Sequence, residues 1–333
     1  MTPWDRFATV ARGGVADRVP IALIVDSPWL PGYAGVDTLD YFLREELFLQ
    51  INRDLITRFP AVAWIPGLWI EYGMAAEPTA FGARVIWHHD RPPSIEPVRG
   101  GLATVAEIDP ADPREHGLMP LVLQRYARLA DQGVETKMVA ARGPFAIANW
   151  ILGATEFMTA LIMEPATTTR FLETITTTVI AFLRAQLDTL RDPQGILLLD
   201  DIVGMISPEM FEEMARPHFA RIFKSFDGMI KVFHNDTPCP HLFKPMATLG
   251  FNVFNFSHET DITFAQAAMP GIALMGNVPP YSVMAEGASD QVEQCARECI
   301  RKTGGRGLIL SAGGGVSPGT PASAIDALVR AAQ

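Results

Sequence analysis

The 333-residue chain is 48% hydrophobic and 19% charged, enough apolar mass for a large core, which excludes an intrinsically disordered chain. Its formal charge is −10 and its pI near 5.2. With no block of five or more Lys/Arg, a surface that tracks nucleic-acid phosphates is excluded as well. Cys239, Cys295 and Cys299 are too few, and odd in number, for a disulfide framework, and they fit a reducing compartment. Met1 to Arg12 lacks the apolar run of a secretory signal, and Val19 to Val25 is too short to span a bilayer. The expectation is a cytoplasmic protein with no membrane or nucleic-acid partner.

In chain order, Arg18 to Asp26 is the first strand candidate, apolar on both faces, as a central parallel strand should be. Thr38 to Arg58 has helical spacing, with Leu39, Phe42, Leu47, Ile51 and Leu55 on one stripe. Ala61 to Ile65 is a second short strand and leads to Glu71-Tyr72-Gly73. Residues 84–98 read as an inserted β-hairpin around His88-His-Asp-Arg-Pro-Pro93. Adjacent His88 and His89 face opposite ways on a strand, which argues against a shared metal.

Helix then alternates with strand: a helix from Leu118 to Gln132, a strand from Thr136 ending at Arg142, a helix from Thr155 to Met163, and a long one from Thr167 to Arg191. The strand from Gly195 stops on Asp200-Asp201, and Ser207-Pro208 opens a helix with Ser as N-cap and Pro in the first turn. Met229 to Phe233 is a buried strand that runs into His234-Asn235-Asp236 and a Thr-Pro-Cys-Pro turn. Strands from Phe251, Gly271 and Gly307 follow, with a helix from Ser289 to Lys302 between the last two and a final helix opened by Thr320-Pro321.

Eight short apolar strands joined by helices predict a single domain over residues 1–333: an α/β fold, a (β/α)8 TIM barrel with an inserted hairpin. A doubly wound open sheet would call for a Gly-x-Gly-x-x-Gly turn after the first strand, and none is there. In such barrels the active site gathers at the C-terminal ends of the strands. Those ends carry Asp26, Glu71, Tyr72, Arg142, Asp200, Asp201, His234, Asp236, Asn255, His258, Asn277 and the Gly313-Gly314-Gly315 turn. Each also has a structural reading: acids cap helices, Arg142 pairs with an acid, Cys239 serves a turn, Cys295 and Cys299 pack on a helix, and the glycines make a tight turn rather than an anion cradle.

The order of several segments resembles the uroporphyrinogen decarboxylase-like superfamily, in particular its cobalamin-dependent methyltransferase branch. They are Ala16-Asp-Arg-Val-Pro20, Ala80-Phe-Gly-Ala83, Gly143-Pro-Phe145, Asp200-Asp201 with Ser207-Pro208, His234, Gly276-Asn-Val278 and the stretch Ser311 to Pro321. Decarboxylases of that family place an arginine-rich motif after the first strand; Asp26-Ser-Pro-Trp-Leu-Pro-Gly32 stands there instead, which disfavours a polyanionic porphyrinogen. Members resembling methylcobamide:coenzyme M methyltransferases carry His-x-Cys and Ser-Pro-Gly-Cys-Gly. Here these read His234-Asn235-Asp236 and Ser311-Ala-Gly-Gly-Gly315, so a zinc held by two thiolates and a His cannot be assembled.

The resemblance implies methyl transfer between a small methylated compound, such as a methoxylated aromatic, and a cobalamin (corrinoid), free or on a corrinoid-binding partner protein. His234, Asp236, Asp200 and Asp201 are the expected catalytic groups. Asp26, Trp29, Glu71, Tyr72, Arg142, Asn255, His258 and Asn277 are expected around the substrate, with Trp64 and Trp69 in an aromatic wall. His234 and Asp236, with His258 or Glu259, would make a harder N/O metal site; zinc is expected to be weak and substoichiometric at most, and a metal-free pocket with His234 as acid or base is the other option. A homodimer is allowed. The alternatives are decarboxylation of a small acid held by Arg142, and a binding member of the family that has lost catalysis.

Overall fold

Alternation of apolar residues along short strands, each followed by a helix, produces the barrel that the pattern predicts. The computed structural model describes residues 1–25 and 27–333. Among the described residues ten strands form: β1 (Ile21–Ile24), β2 (Val62–Ile65), β3 (Arg84–Ile86), β4 (Ser94–Glu96), β5 (Met138–Arg142), β6 (Gly195–Leu199), β7 (Ile230–Asn235), β8 (Val253–Phe256), β9 (Ala273–Val278) and β10 (Leu308–Ala312). Eight of them pair side by side in the order β2-β1-β10-β9-β8-β7-β6-β5, and every pairing is parallel. The result is a nearly closed (β/α)8 barrel whose seam lies between β2 and β5. The antiparallel pair β3–β4, with Arg84 opposite Glu96 and Ile86 opposite Ser94, is the inserted hairpin.

Because side chains alternate along a strand, each barrel strand feeds two cores. One cluster fills the lumen with Ala22, Ile24, Ala63, Ile65, Met138, Ala140, Leu197, Leu199, Ile230, Val232, Val253, Ala273, Met275 and Ile309. The helix Pro3–Ala11 adds Phe7, Ala8, Val10 and Ala11 to the same cluster. That helix begins with a capping box between Thr2 and Asp5 and closes the N-terminal end of the barrel. The other residues of the same strands, among them Leu23, Trp64, Val139, Leu198, Phe233 and Phe254, pack outward against the helical layer.

The predicted helices appear in their predicted order, joined by others the sequence did not announce, such as Pro3–Ala11 and Ile262–Ala268. The first long helix is broken at Arg44 into Thr38–Leu43 and Glu45–Arg58, because Arg44 takes extended backbone angles. The helix opened by Ser207, whose side chain accepts the N–H of Met210, is interrupted by a π-turn at Phe211–Ala215 before continuing as Arg216–Lys224. A helix not expected from the sequence, Pro144–Leu152, follows β5 directly. Its residues are apolar nearly all round, so no amphipathic period marks it; such a helix is stable only where it is buried. Among the described residues no single helix is long and apolar enough to cross a membrane.

Candidate active site

Alternation decides which polar residues reach the lumen at the C-terminal end. On β6, Leu197 and Leu199 point inward, so Asp201 does too, and Asp200 points out. On β7, Ile230 and Val232 point inward, and His234 and Asp236 continue that row. The two strands are neighbours, with Leu199 opposite His234. Asp201, His234 and Asp236 therefore converge, each offering a ligand atom, and these atoms all lie within 4.8 Å of one another.

His234 is held from behind. Its Nδ1 lies 2.6 Å from Asn255 Oδ1, while Asn255 Nδ2 donates to the carbonyls of Met275 (2.8 Å) and Ala312 (3.1 Å). An amide whose N–H groups are committed to two carbonyls presents only its oxygen to the ring, so Nδ1 carries the hydrogen and Nε2 the lone pair in the neutral imidazole. Nε2 faces Asp201 Oδ1 at 3.6 Å and Asp236 Oδ2 at 4.0 Å. Asp201 Oδ1 in turn accepts the N–H of Asp236 at 2.9 Å. His234 is buried, Asp201 partly so, and Asp236 keeps 48% of its side-chain surface exposed, so the cluster has a protein side and a solvent side. Burial pushes the Asp236 carboxyl above its ordinary range, His234 pulls it down and the Asp201 charge pushes it up.

Asp200 serves the scaffold. Its Oδ2 accepts the N–H groups of Phe145 and Ala146, and its Oδ1 that of Val203. It thereby caps the helix Pro144–Leu152 from outside the helix's own sequence. A Cβ at Gly143 would lie 2.4 Å from Asp200 Oδ2, so glycine is required there for the approach. Asp200 is fully buried, and burial raises its pKa to about 7 against the pull of the backbone N–H groups.

Across the barrel at the seam, Glu71 and Arg142 form a buried pair, with Arg142 Nη2 3.3 Å from both Glu71 Oε2 and the Gly73 carbonyl. The guanidinium lies 5.0 Å from the Trp69 ring centroid. Glu71 Oε1 accepts the Ser27 N–H at 2.8 Å, and Glu77 Oε1 accepts the Arg142 N–H at 2.8 Å. Burial raises both glutamates, opposed at Glu71 chiefly by the Arg142 charge and at Glu77 by the Arg142 N–H. Glu77 was not a sequence candidate; its signal was an acid in the otherwise apolar run Ala75-Ala76-Glu77-Pro78.

Several expected substrate contacts lie elsewhere. Trp29 is buried, donates Nε1 to the Thr320 carbonyl at 2.9 Å and stacks on Trp64. Both belong to the outer core, as does Tyr72, whose hydroxyl accepts from Arg125 at 3.0 Å. Of the expected aromatic wall only Trp69 packs with the lumen cluster. Asn255 is wholly buried beneath His234, with no surface left for a substrate. Asn277 donates to the Thr260 carbonyl at 2.8 Å and accepts from the Cys299 thiol at 3.7 Å, so it ties the β9 end to the surrounding loops. His258 is exposed, and its backbone packs on Gly313, where a Cβ would come within 2.7 Å of it.

The Gly313 N–H is bonded to the Val278 carbonyl, so that group is not free to hold an anion. Gly314 instead makes room for Asp236, whose Oδ2 would lie 3.2 Å from a Cβ at that position. Cys239 is buried with its thiol 3.7 Å from Asn235 Oδ1, and burial pushes its pKa up to about 12; it remains a thiol. His88 and His89 brace the hairpin, bonded to Ser94 and Asp37. Asp26 lies outside the described residues. Ser311, unpredicted, sits fully buried at the end of β10 on the inward row of Ile309, and its hydroxyl finds no protein partner.

A cavity of about 760 Å³ lies at the opposite end of the barrel, between residues 13–20 and the turns that lead into β9 and β10. Barrel chemistry belongs to the other end, where the cluster is.

Comparison with known proteins agrees with this architecture. The uroporphyrinogen decarboxylase (URO-D) family profile matches residues 2–333. A uroporphyrinogen decarboxylase of Parasynechococcus marenigrum is 28% identical over 242 residues, covering 68% of this chain and 66% of the relative's length. One from Anaeromyxobacter sp. is 26% identical over 348 residues, covering 98% of this chain and 97% of the relative. Among solved structures, a methyltransferase from Methanosarcina mazei superposes with a TM-score of 0.86 at 19% identity, covering 99% of this chain and 98% of that one. A B12-independent methionine synthase from Shewanella sp. superposes at 0.64 with 9% identity, covering 94% and 97%.

Proposed function

The chain belongs to the uroporphyrinogen decarboxylase (URO-D) family, and from that premise we propose that it is an enzyme of corrinoid-dependent methyl transfer, moving a methyl group between a small methoxylated compound and a corrinoid. The observation that carries the reading is the convergence of His234 Nε2 with the carboxylates of Asp201 and Asp236 at the lumen rim. A methyl ether is inert until its leaving oxygen is protonated or polarised. Two carboxylates beside one imidazole attract positive charge, in its simplest form a proton on Nε2, to one point of an otherwise apolar lumen. The corrinoid, a second substrate carried by a partner protein or free in solution, supplies the Co(I) nucleophile that takes the methyl carbon while the C–O electron pair leaves with oxygen. His234, carrying a proton on Nε2 as well as on Nδ1, gives the Nε2 proton to that oxygen as the C–O bond breaks; Asp201 and Asp236 stabilise the charged ring beforehand, and solvent returns the proton after the product leaves. Asn255 fixes the ring so that Nε2, not Nδ1, faces the reacting atoms.

Thiol activation does not fit these residues. Position 236 is Asp, position 314 is Gly, and Cys239 is turned toward Asn235 with its proton retained. Nor does a porphyrinogen: Arg142 is already engaged by Glu71, the Gly73 carbonyl and Trp69.

A second reading, decarboxylation of a smaller acid, is favoured by the names of the sequence relatives. It would require Arg142 to leave Glu71 for the substrate.

One assay separates the two. The protein is mixed with Co(I) corrinoid and a panel of methoxyarenes, and both methyl–Co(III) absorbance and CO2 release are followed. Methyl–Co(III) and free phenol are expected. Corrinoid-independent CO2 from a carboxylic acid, with no methylation of cobalt by any methoxyarene, would replace this reading with the second.

A further inference from the structure

The cavity at the N-terminal end of the barrel takes no part in the chemistry at the rim, yet its lining has a chemical character of its own. It measures about 760 Å³ and is walled by residues 13–20 and the turns that enter β9 and β10. Arg18 and Arg306 line it, and among the described residues around it there is no Asp or Glu. In a chain of net charge −10 this is a local reversal of sign. Concave walls of one sign focus their field on a counter-ion.

The strands that follow the two arginines bring them together. β1 pairs with β10, with Ile21 opposite Leu310 and the Leu310 N–H donated to the Pro20 carbonyl at 2.8 Å. Continued backwards, the same alignment lays residues 18–20 beside 305–307. Packing agrees with it: a Cβ at Gly305 would stand 3.3 Å from Val19 Cγ2, so the residue after Arg18 packs against the residue before Arg306. The turn that carries Arg306 is fixed. The Gly305 N–H donates to the Ile300 carbonyl at 3.0 Å, Gln266 Nε2 to the Arg306 carbonyl at 3.2 Å and the Leu274 N–H to the Gly307 carbonyl at 2.8 Å.

Other charges nearby are already matched. On the helix Ser289–Thr303, Arg297 pairs with Glu293, Arg301 with Glu298, and Lys302 with Asp261. Asp17, the neighbour of Arg18, is turned to Arg6 at 2.5 and 2.8 Å. Arg18 and Arg306 are exposed, and among the described residues neither guanidinium has an acid or a carbonyl as partner. Two like charges side by side repel. An oxyanion between them removes the repulsion and occupies their forked donors. The rest of the wall is apolar, with Val10, Val19, Met269, Ile272 and Ile300.

We infer that this cavity is a second binding site, for a small amphiphilic anion whose phosphate or carboxylate head lies between Arg18 and Arg306 and whose apolar body covers Val19, Ile272 and Ile300. Ligand pockets of about 300–1,000 Å³ combine apolar walls with a few converging polar groups in this way. The site is separate from the proposed function, because Arg18 belongs to the segment Ala16-Asp-Arg-Val-Pro20, which the rim does not use.

The test is calorimetric titration of the full-length protein with inorganic phosphate, phenyl phosphate and benzoate at low ionic strength. One phenyl phosphate or one benzoate should bind per chain, and whichever binds more tightly identifies the head group. Inorganic phosphate, which lacks an apolar body, should bind at least about tenfold more weakly than phenyl phosphate. Arg18→Gln and Arg306→Gln should each weaken binding at least about tenfold at unchanged melting temperature, while His234→Ala binds as the parent does. No saturable binding of either ring compound, or parental affinity in either arginine variant, would overturn the inference. So would equal affinity for inorganic and phenyl phosphate, since charge alone would then be read. Binding lost in His234→Ala would overturn it by moving the ligand to the rim. Methyl transfer enters none of these readings, so the proposed function stands or falls separately.

Discussion

Two polar groups occupy the same end of the same barrel and differ in one respect. At the seam, Glu71, Glu77 and Arg142 satisfy one another: Arg142 bonds Glu71 and Gly73 and covers Trp69, while Glu71 and Glu77 accept the backbone N–H groups of Ser27 and Arg142. On the β6–β7 side, His234 Nε2 stands 3.6 Å from Asp201 and 4.0 Å from Asp236, beyond hydrogen-bond distance, while Asp201 reaches Asp236 only through that residue's backbone N–H. Charge at a strand end is thus no guide by itself. A closed network stitches the open seam; an open one, held rigid from behind by Asn255, is where a reacting group can enter.

That contrast predicts opposite phenotypes. The largest effect belongs to His234→Ala, which should lower turnover by about 10²–10⁴-fold, the usual worth of a positioned acid–base group, with little change in unfolding free energy. Arg142→Met should do the reverse: breaking a buried pair leaves Glu71 uncompensated and costs about 3–5 kcal/mol in denaturant unfolding, with the remaining folded fraction still active. A stability loss in His234→Ala as large as that in Arg142→Met would erase the distinction between the two groups. Asn255→Leu comes next. Without its anchor the ring loses its tautomer preference, and turnover should fall about 10–100-fold with a shifted pH profile, an effect that a merely structural residue would not produce.

The smallest effect concerns pH. Asp200, raised to about 7 from 3.8 by burial, is neutral in the fold where it would be ionised in the unfolded chain. A folded pKa above the unfolded one gives stability that is fully present below about pH 4 and lost as pH rises through about 7. Glu71, Glu77 and Asp236 shift in the same direction. Stability should therefore decline between pH 4 and 7, and Asp200→Asn should flatten that slope, as read from denaturant midpoints in a pH series.

Much of this was legible in the sequence. All eight barrel strands and the hairpin appear where short apolar runs predicted them, because buried parallel strands have no other way to be written. His234 and Asp236 were recognisable at the end of such a run. What the sequence concealed was direction. Asp200 and Asp201 look equivalent in a row, yet pleating sends one to cap Pro144–Leu152 and the other to the lumen. The same pleat turns Trp64 outward from between Ala63 and Ile65, so the expected aromatic wall shrinks to Trp69. The third member of the cluster was sought at His258 or Glu259, in sequence order, but it comes from the neighbouring strand, since β6 pairs with β7 in a register that one sequence does not display.

The account stands most directly on the initial rate of methyl–Co(III) formation from a methoxyarene, measured for the parent and for His234→Ala at equal folded fraction. It predicts a measurable parental rate that is lost in the variant. Equal rates in the two proteins, or no methyl–Co(III) with any methoxyarene, would contradict it.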